Sequence, residues 1–174
     1  KEDSAKTGTL VHESLENYYN QKAQEEFPPE FNFVKDCINK YPTIEPYKTE
    51  WKVFDSKSSV AGTIDMVYKK PNGELFIFDW KRTTKLVNDI GTIIKSDFEY
   101  GFDELENLSN NSYNKYCLQQ NLYKYILEDN YGEKVSSMNI LVLHPRYHTY
   151  FHLQVPNLIK ETEFLIRKAR EKSI

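Results

Sequence analysis

The sequence predicts an α/β fold, and three observations indicate it. Segments with the apolar spacing of amphipathic helices alternate along the chain with runs that have the two-residue alternation or continuous apolar character of strands. A Pro-Asn-Gly turn at residues 71–73 separates two of these runs and predicts a hairpin. The run 140–143 leaves no polar face, as expected of a strand that is covered on both sides. The predicted order is helix, three strands, helix, two strands and helix.

The elements follow from these patterns in chain order. The predicted helices, each with an apolar face at helical spacing, cover residues 9–24, 30–40, 114–128 and 158–169. The predicted strands cover residues 48–54, 59–68, 74–80, 138–143 and 147–155. Residues 87–112 are polar and acidic and show little periodicity, so we expect an irregular insertion or a lid there.

The length of 174 residues predicts a single domain, residues 1–174, with a sizeable core. The first residue is lysine, so we expect this domain to be a piece of a longer protein, whose other domains would be partners. No run approaches the roughly 18 apolar residues of a membrane span, so no membrane partner is expected. The net charge of −3 gives no overall basic signature. A nucleic-acid partner would therefore need a local basic patch, or metal ions between it and acidic residues.

The chain has two cysteines, Cys37 and Cys117, with no short-range partner. This number excludes a cysteine-rich zinc site or an iron–sulfur cluster made by this chain alone. It fits a reducing, intracellular compartment. Cytoplasmic, nuclear, organellar and viral settings remain open.

Two aspartates on the predicted hairpin are the first candidate site. Asp65 stands alone among apolar residues in GTIDMVY, and a buried carboxylate without a partner costs several kcal/mol. A three-residue loop at 71–73 pairs positions that sum to 144, which sets Asp65 opposite Asp79. A two-residue Asn-Gly loop would set Asp65 against Trp80 instead. We favour the three-residue loop because proline is well placed to open it.

Lys81 adds a cation to this pair, because residues two positions apart on a strand share one face. Asp79 and Lys81 therefore point to the same side of the sheet. Two close carboxylates do not both stay ionised in a dry site unless a cation lies between them. Mg²⁺ or Mn²⁺ is the natural occupant, and Lys81 would then orient or deprotonate the attacking water. An exposed Asp–Lys pair beside a hydrogen-bonded aspartate is an equally good interpretation of these residues alone.

Polar side chains on two predicted helices extend the set of candidates. His12 lies at the edge of the first helix, and Glu16 follows one turn later. A lone helix histidine is more often structural than a ligand. Tyr116, Gln119 and Tyr123 form a stripe beside the apolar face of the third long helix. Such a stripe by itself is more often the flank of a helix than a site.

Together these residues resemble the RecB-type, exonuclease-like branch of the PD-(D/E)XK nuclease superfamily. The matching elements, in family order, are Gly8 and His12 (G-x-x-x-H), Glu50, Gly62 to Asp65 (G-x-I-D), Asp79 to Lys81 (D-x-K), and Gln119 and Tyr123 (Q-x-x-x-Y). D-x-K alone is a weak signal, whereas the full set in the right order is a strong one. The resemblance implies a restriction-endonuclease-like core, with a mixed central β-sheet flanked by helices in the order αβββαβ.

The resemblance also implies roles for these residues. Asp65 and Asp79 would bind one or two Mg²⁺ or Mn²⁺ ions together with the backbone carbonyl of Trp80. His12 would complete the metal shell, and Lys81 would serve the attacking water. Asp65, Asp79 and Lys81 are thus the expected catalytic residues.

The remaining candidates have alternative interpretations. Glu50 is either a further metal ligand or a salt-bridge partner at the rim, with about equal weight. The residues expected to contact nucleic acid or to support the site are Tyr116, Gln119, Tyr123, Arg82 and Lys85. For each of the basic residues, a solvated surface position is at least as good an interpretation.

The expected function is therefore metal-dependent hydrolysis of phosphodiester bonds in DNA, at single strands or ends, with DNA preferred over RNA. One alternative is an RNA-cutting endonuclease domain of the kind found in viral polymerase proteins. Another is a catalytically inactive core that binds nucleic acid or a partner. The intact Asp65, Asp79 and Lys81 argue against an inactive core, because lost activity usually removes one of them. Superfamily members with an iron–sulfur cluster carry four cysteines around the core, so no cluster is expected here.

Overall fold

The computed structural model describes residues 2–22, 26–95, 100–101 and 103–173, with side chains from residue 10 onward. The helices are α1 (Glu2–Tyr19), α2 (Glu30–Ile38), α3 (Ser112–Asn130) and α4 (Ile159–Lys172). The strands are β1 (Glu45–Phe54), β2 (Ala61–Lys69), β3 (Leu75–Lys81), β4 (Val135–Val142) and β5 (Phe151–Gln154). A short 3₁₀ helix, Asp103–Leu105, lies before α3.

The five strands form one mixed sheet in the order β1-β2-β3-β4-β5. The β3–β4 pair is parallel and the other neighbouring pairs are antiparallel. Helix α3 makes the crossover that a parallel pair requires. The predicted fold class is confirmed: the chain is α/β with a mixed central sheet flanked by helices, an arrangement compatible with a restriction-endonuclease-like core.

Apolar side chains cover both faces of the sheet. On the face toward α3, Ile77 and Ile140 pack with Ile126 and Leu127 of that helix. On the opposite face, Phe78, Trp80 and Leu141 pack with residues of α1 and α2, among them Val11, Leu15 and Val34. Because strand side chains alternate between faces, Asp79 and Lys81 lie on the α3 side, as their spacing predicts.

The hairpin between β2 and β3 has the predicted register. Met66 lies opposite Phe78 and Lys69 lies opposite Leu75, so the paired positions sum to 144. The Lys70 amide donates to the Glu74 carbonyl, which closes the three-residue loop. Gly73 has a φ of +88°, the left-handed conformation that glycine adopts without strain. The three-residue loop is therefore confirmed.

The β1–β2 pair bends at Glu50 and Asp65. Thr49 pairs with Met66 and Trp51 pairs with Ile64 in one unchanged register, and between them Glu50 has a left-handed φ of +43°. On one side of the bend Met66 packs against the α1–α2 layer, whereas beyond it Ile64 packs with α3. The bend therefore turns the β1–β2 loop toward α3 and leaves Asp65 at the corner.

Several predicted boundaries were wrong. The first helix starts earlier than predicted and ends at Tyr19, while residues 23–24 of its predicted end lie outside the described residues. The last strand is confined to Phe151–Gln154. Tyr147 instead lies in a turn, where its amide donates to the His144 carbonyl and its buried hydroxyl donates to the Val87 carbonyl. A tertiary hydrogen bond therefore overrides the alternating pattern of that segment.

The segment 87–112 holds two isolated bridges, Val87–Ile93 and Tyr100–Ser109, besides the 3₁₀ helix. Residues 96–99 and 102 of this predicted insertion lie outside the described residues. Among the helices of the described part of the chain, none has the length and apolar character that crossing a membrane requires.

Candidate metal and nucleic-acid site

Three elements bring one potential metal ligand each to the bend of β1 and β2. His12 of α1, Glu50 of β1 and Asp65 of β2 each offer a ligand atom, and these atoms lie within 4.8 Å of one another. All three residues are partly buried. One imidazole and two carboxylates at this separation are a donor set that suits a divalent cation.

The hydrogen bond of His12 defines which of its nitrogens is available. Nε2 lies 2.9 Å from the carbonyl oxygen of Trp80 and must donate, because a carbonyl only accepts. Burial lowers the pKa of His12, although the nearby Asp79 acts in the opposite direction. The imidazole is therefore neutral at neutral pH, and Nδ1 presents a lone pair toward Asp65 Oδ1 at 3.6 Å. Two electron-pair donors that face each other require a proton or a cation between them.

Asp65 is held in place by the backbone of the neighbouring strand. Its Oδ2 accepts a 2.9 Å hydrogen bond from the amide of Trp80. Burial raises the pKa of Asp65 far above its usual range, and the adjacent carboxylate of Asp79 raises it further. Without a cation Asp65 therefore retains a proton at neutral pH. A divalent ion would displace that proton and remove the repulsion between the two carboxylates.

Asp79 and Lys81 form the second half of the site. Asp79 is 6% exposed, and in the described part of the chain no donor is aligned to hydrogen-bond its Oδ2. The closest charge is Lys81, whose Nζ lies 3.1 Å from that oxygen. The same Nζ lies 4.1 Å from the ring centroid of Tyr116, a cation–π distance. The ammonium of Lys81 is thus fixed between a carboxylate and an aromatic face.

Glu50 lies within the group of potential ligands, and no salt bridge of Glu50 is formed in the described part of the chain. Burial raises its pKa, and the charges of Glu16 and Asp79 raise it further. Its left-handed backbone conformation is unfavourable for a side chain with a Cβ, so the bend places it there at a cost. Glu16 was not among the residues predicted for the site. Its position four residues after His12 places it on the same helix face, and this spacing is visible in the sequence.

Gly62 and Tyr123, from two separate motif elements, are in direct contact. A Cβ at Gly62 would lie 2.4 Å from Cε1 of Tyr123, so only glycine leaves room for the ring. Tyr123 is 7% exposed and shares a hydrogen bond with the backbone of Thr63. Burial raises its pKa to about 12, with smaller contributions from Asp79 and Asp65. The ring of Tyr123 therefore packs against β2 at Gly62 and Thr63, close to Asp65 in sequence.

The other predicted nucleic-acid contacts lie at the margin of this cluster. Gln119 faces an open groove of about 350 Å³ between α3 and the start of β2. Lys115 and Tyr123 also line this groove, so it begins at the edge of the site. Lys85 is exposed in the loop that follows β3, whereas Arg82 forms a 3.2 Å ion pair with the buried Glu30 of α2. The structure thus brings Tyr116 and Tyr123 to the cluster and Gln119 to the adjoining groove, whereas Lys85 is exposed in the following loop and Arg82 is held in an ion pair with α2.

Gln120 is a second residue that the sequence patterns did not single out. It is fully buried in α3, although a stripe that includes its neighbour Gln119 was recognised. Its spacing from Tyr116 (four residues) and from Tyr123 (three residues) is the signal that places it on the same face as both.

Comparisons with known proteins do not identify a function for the chain. No family model matches the chain, and no curated protein matches it. Among solved structures, the crystal structure of SSO0001 matches with a TM-score of 0.36 and 10% sequence identity. The match covers 82% of this chain and 56% of that chain. The chain therefore spans little more than half the length of that protein, and so weak a likeness carries no argument about activity.

Proposed function

We propose that the chain is a metal-dependent nuclease that hydrolyses phosphodiester bonds of DNA, at single strands or ends. The observation that carries the proposal is the convergence of His12, Glu50 and Asp65 within 4.8 Å, beside the buried Asp79–Lys81 pair. A purely structural core gives no reason to bury mutually repelling acidic groups, because their desolvation costs several kcal/mol. The motif resemblance supports the same proposal independently of this geometry.

The donor atoms of the site fit Mg²⁺ or Mn²⁺. His12, Glu50 and Asp65 would hold the ion, and the carboxylate of Asp79, whose Oδ2 pairs with Lys81, would supply another hard oxygen beside them. When bound, the ion supplies a Lewis acid that stabilises negative charge and generates a nucleophile from water at neutral pH.

The side chains around the ligands perform the remaining tasks. Lys81 places a fixed positive charge where negative charge develops on the phosphate, which stabilises the transition state more than the ground state. Asp79 and Tyr116 hold that ammonium in one position, so it needs no reorganisation during the reaction. The Trp80 amide and the Gly62–Tyr123 contact keep Asp65 in place.

Substrate contacts must be local, because a net charge of −3 gives no general attraction for DNA. The groove that begins at Tyr123 is largely apolar and carries the exposed Lys115 and the amide of Gln119. Such a groove accommodates the bases of a single strand, while the exposed Lys85 and Lys115 contact its phosphates.

The test is cleavage of labelled single-stranded DNA, double-stranded DNA and RNA with Mg²⁺ or Mn²⁺, together with Mn²⁺-dependent thermal stabilisation. We expect the wild-type chain to cut DNA. Lys81→Met should reduce cleavage by at least about 100-fold and retain the Mn²⁺ stabilisation, because this lysine is not a ligand. Asp65→Asn should lose both. Lys160→Met removes an exposed lysine of α4 outside the site and should leave both unchanged.

The outcomes separate the alternatives. Mn²⁺ stabilisation without cleavage of any substrate would identify a binding module, and cleavage of RNA alone would replace the proposed substrate. If Mn²⁺ stabilises neither the wild-type chain nor Lys81→Met, the metal site itself is refuted.

A further inference from the structure

Gln120 is a buried polar residue whose side-chain amide lacks hydrogen bonds. The residue is completely buried, and neither Nε2 nor Oε1 of its amide has a hydrogen-bond partner in the described part of the chain. A buried amide atom without a partner costs about 1–3 kcal/mol. A methionine or leucine would fill the same volume without that cost, so the amide requires a partner that offsets it.

A third buried atom lacks a hydrogen bond, and it belongs to the candidate site. This atom is Oδ2 of Asp79. Within the described residues, these three atoms are the complete set of buried side-chain oxygens and nitrogens without a hydrogen bond. An amide N–H donor on α3 and a carboxylate acceptor on β3 are chemically complementary. The question is whether they lie at the same level of the fold.

The contacts of α3 with the sheet place Gln120 and Asp79 at the same height along the direction of β3. At one end, Tyr116 lies over the ammonium of Lys81. At the other, Glu128 accepts from the amide of Val135, which is paired with Leu75. The helix thus runs antiparallel to β3. Gln120 lies about 6 Å from Tyr116 along the helix, at 1.5 Å per residue. Asp79 lies about 6.6 Å from Lys81 in the same direction, at 3.3 Å per residue.

The contacts of the two tyrosines on either side of Gln120 agree with this placement. Tyr116, Gln120 and Tyr123 share one face of α3, because their spacings are four and three residues. Tyr116 contacts the ammonium that Asp79 binds, and the charge of Asp79 also acts on the hydroxyl of Tyr123. Gln120 lies between these two tyrosines on that buried face of α3, at the level of Asp79.

We propose that Gln120 is a positioning residue for Asp79: one buried water accepts a hydrogen bond from its amide N–H and donates one to Oδ2 of Asp79. This water-mediated hydrogen bond orients the carboxylate, so that it serves Lys81 and the metal site in one fixed rotamer. The expected effect of this hydrogen bond on metal binding rests on the proposed function. The hydrogen bond itself is inferred independently of that function. Gln120 touches neither ion nor substrate and acts through Asp79 alone.

The experiment compares the wild-type chain with Gln120→Met, which removes the amide and keeps the volume. The control is Leu127→Met, which introduces the same side chain into the same buried face of α3, two turns away. We expect the side-chain ¹³C resonance of Asp79 in the metal-free protein to shift in Gln120→Met and to stay unchanged in Leu127→Met. Mn²⁺ affinity should fall 10- to 100-fold in Gln120→Met alone, the usual effect of removing a partner of a ligand.

A second measurement avoids any change at Gln120. The side-chain amide protons of Gln120 should exchange slowly with solvent in the wild-type chain, and their resonances should move when Asp79→Asn is introduced.

The results distinguish this inference from the proposed function. If Gln120→Met keeps the Asp79 resonance and the Mn²⁺ affinity of the wild-type chain, the inference is wrong, whatever the chain cleaves. Unaffected Gln120 amide resonances in Asp79→Asn would refute it equally. If the wild-type chain neither binds Mn²⁺ nor cleaves, the proposed function fails, while a coupling of the Gln120 and Asp79 resonances still establishes the hydrogen bond.

Discussion

At the scale of single residues, the state of Asp65 decides whether the site holds protons or a cation. Nδ1 of the neutral His12 faces Asp65 Oδ1 at 3.6 Å, and the carboxylate of Asp79 adds to the negative potential. The unfolded chain gives Asp65 its ordinary pKa of about 3.9, whereas burial and Asp79 raise the pKa in the folded chain. The folded protein thus takes up a proton that the unfolded chain releases.

This difference in pKa predicts a pH-dependent effect of Mn²⁺. For a carboxyl group with a raised pKa, the stabilisation is complete below about pH 4 and is lost as pH rises through the folded-state pKa. An ion that competes with the proton should therefore stabilise the protein more at pH 8 than at pH 5. We expect the Mn²⁺-induced increase in Tm to grow over this range and to vanish in Asp65→Asn. An increase of equal size at every pH would contradict the assignment of the proton to this site.

Gly62 gives a second prediction at this scale. A Cβ there would overlap Cε1 of Tyr123 at 2.4 Å, so Gly62→Ala should lower the free energy of unfolding by about 1–3 kcal/mol, the usual cost of overpacking. The loss should be smaller when Tyr123→Ala has already removed the ring. Urea unfolding of both single variants and the double variant measures this coupling. Additive losses would show that the two residues do not meet.

At the scale of elements, the bend of the β1–β2 hairpin brings the residues of the candidate site together. A straight hairpin would keep alternating its faces, and Ile64 would then lie on the same side as Met66. The bend reverses this alternation at Asp65, so that Ile64 packs with the α3 layer although Met66 packs with the α1–α2 layer, and the corner lies beside His12 of α1. The unfavourable backbone of Glu50 is part of that bend.

The strain at Glu50 predicts opposite effects on stability and on metal binding. Glu50→Gly removes the cost of a left-handed conformation and a partly buried carboxylate, and should raise the free energy of unfolding by about 1 kcal/mol. The same change removes a ligand, so Mn²⁺ affinity should fall.

Chemical unfolding and Mn²⁺ titration of the variant measure the two effects. Glu50→Gln is the matched comparison, because it removes the carboxylate and keeps the strained backbone; it should lower the affinity and raise the stability less than Glu50→Gly does. A loss of stability in Glu50→Gly would argue against strain at this position.

At the scale of the whole molecule, a buried ion pair ties distant segments of the chain together. Asp55, directly after β1, is fully buried and receives two hydrogen bonds from Arg170 of α4, at 2.9 and 3.1 Å. Asn130 at the end of α3 and Ser58 also donate to it, and Arg170 continues to Asp129. The bent hairpin, α3 and α4 thus share one polar junction on the side of the sheet that carries Asp79.

The junction predicts a stability defect that depends on pH. Arg170→Met leaves Asp55 buried without its cation and should lower the free energy of unfolding by about 3 kcal/mol near neutral pH. Hydrogen bonds from Arg170 hold the pKa of Asp55 well below its usual range. The stabilisation is therefore present above the unfolded-state pKa of about 3.9 and is lost as pH falls below it.

Urea unfolding at several pH values tests this dependence. The difference between wild type and Arg170→Met should be largest at pH 7 and shrink below pH 4. Lys168→Met, which breaks an exposed pair with Glu171, should cost less than about 0.5 kcal/mol at every pH. A defect in Arg170→Met that is independent of pH would show that Asp55 is not the group concerned.

The sequence by itself determined the local features of the fold. Apolar periodicity predicted the order of helices and strands, and the chemistry of Pro71 and Gly73 predicted the hairpin register. Local turn geometry and side-chain alternation act over a few residues, so they can be read from the chain. The same alternation placed Asp79 and Lys81 on one face.

The tertiary structure alone decided which polar groups meet. The bend at Glu50 depends on packing against two different layers, which no local pattern encodes, and it brought Glu50 to His12 and Asp65. The turn at Tyr147 likewise depends on a hydrogen bond to Val87, 60 residues away. Gln120 looks like any other polar residue of a helix until α3 is packed on β3. Burial and long-range contacts are properties of the assembled fold, and they decided which side chains form the group of potential ligands and which residues surround it.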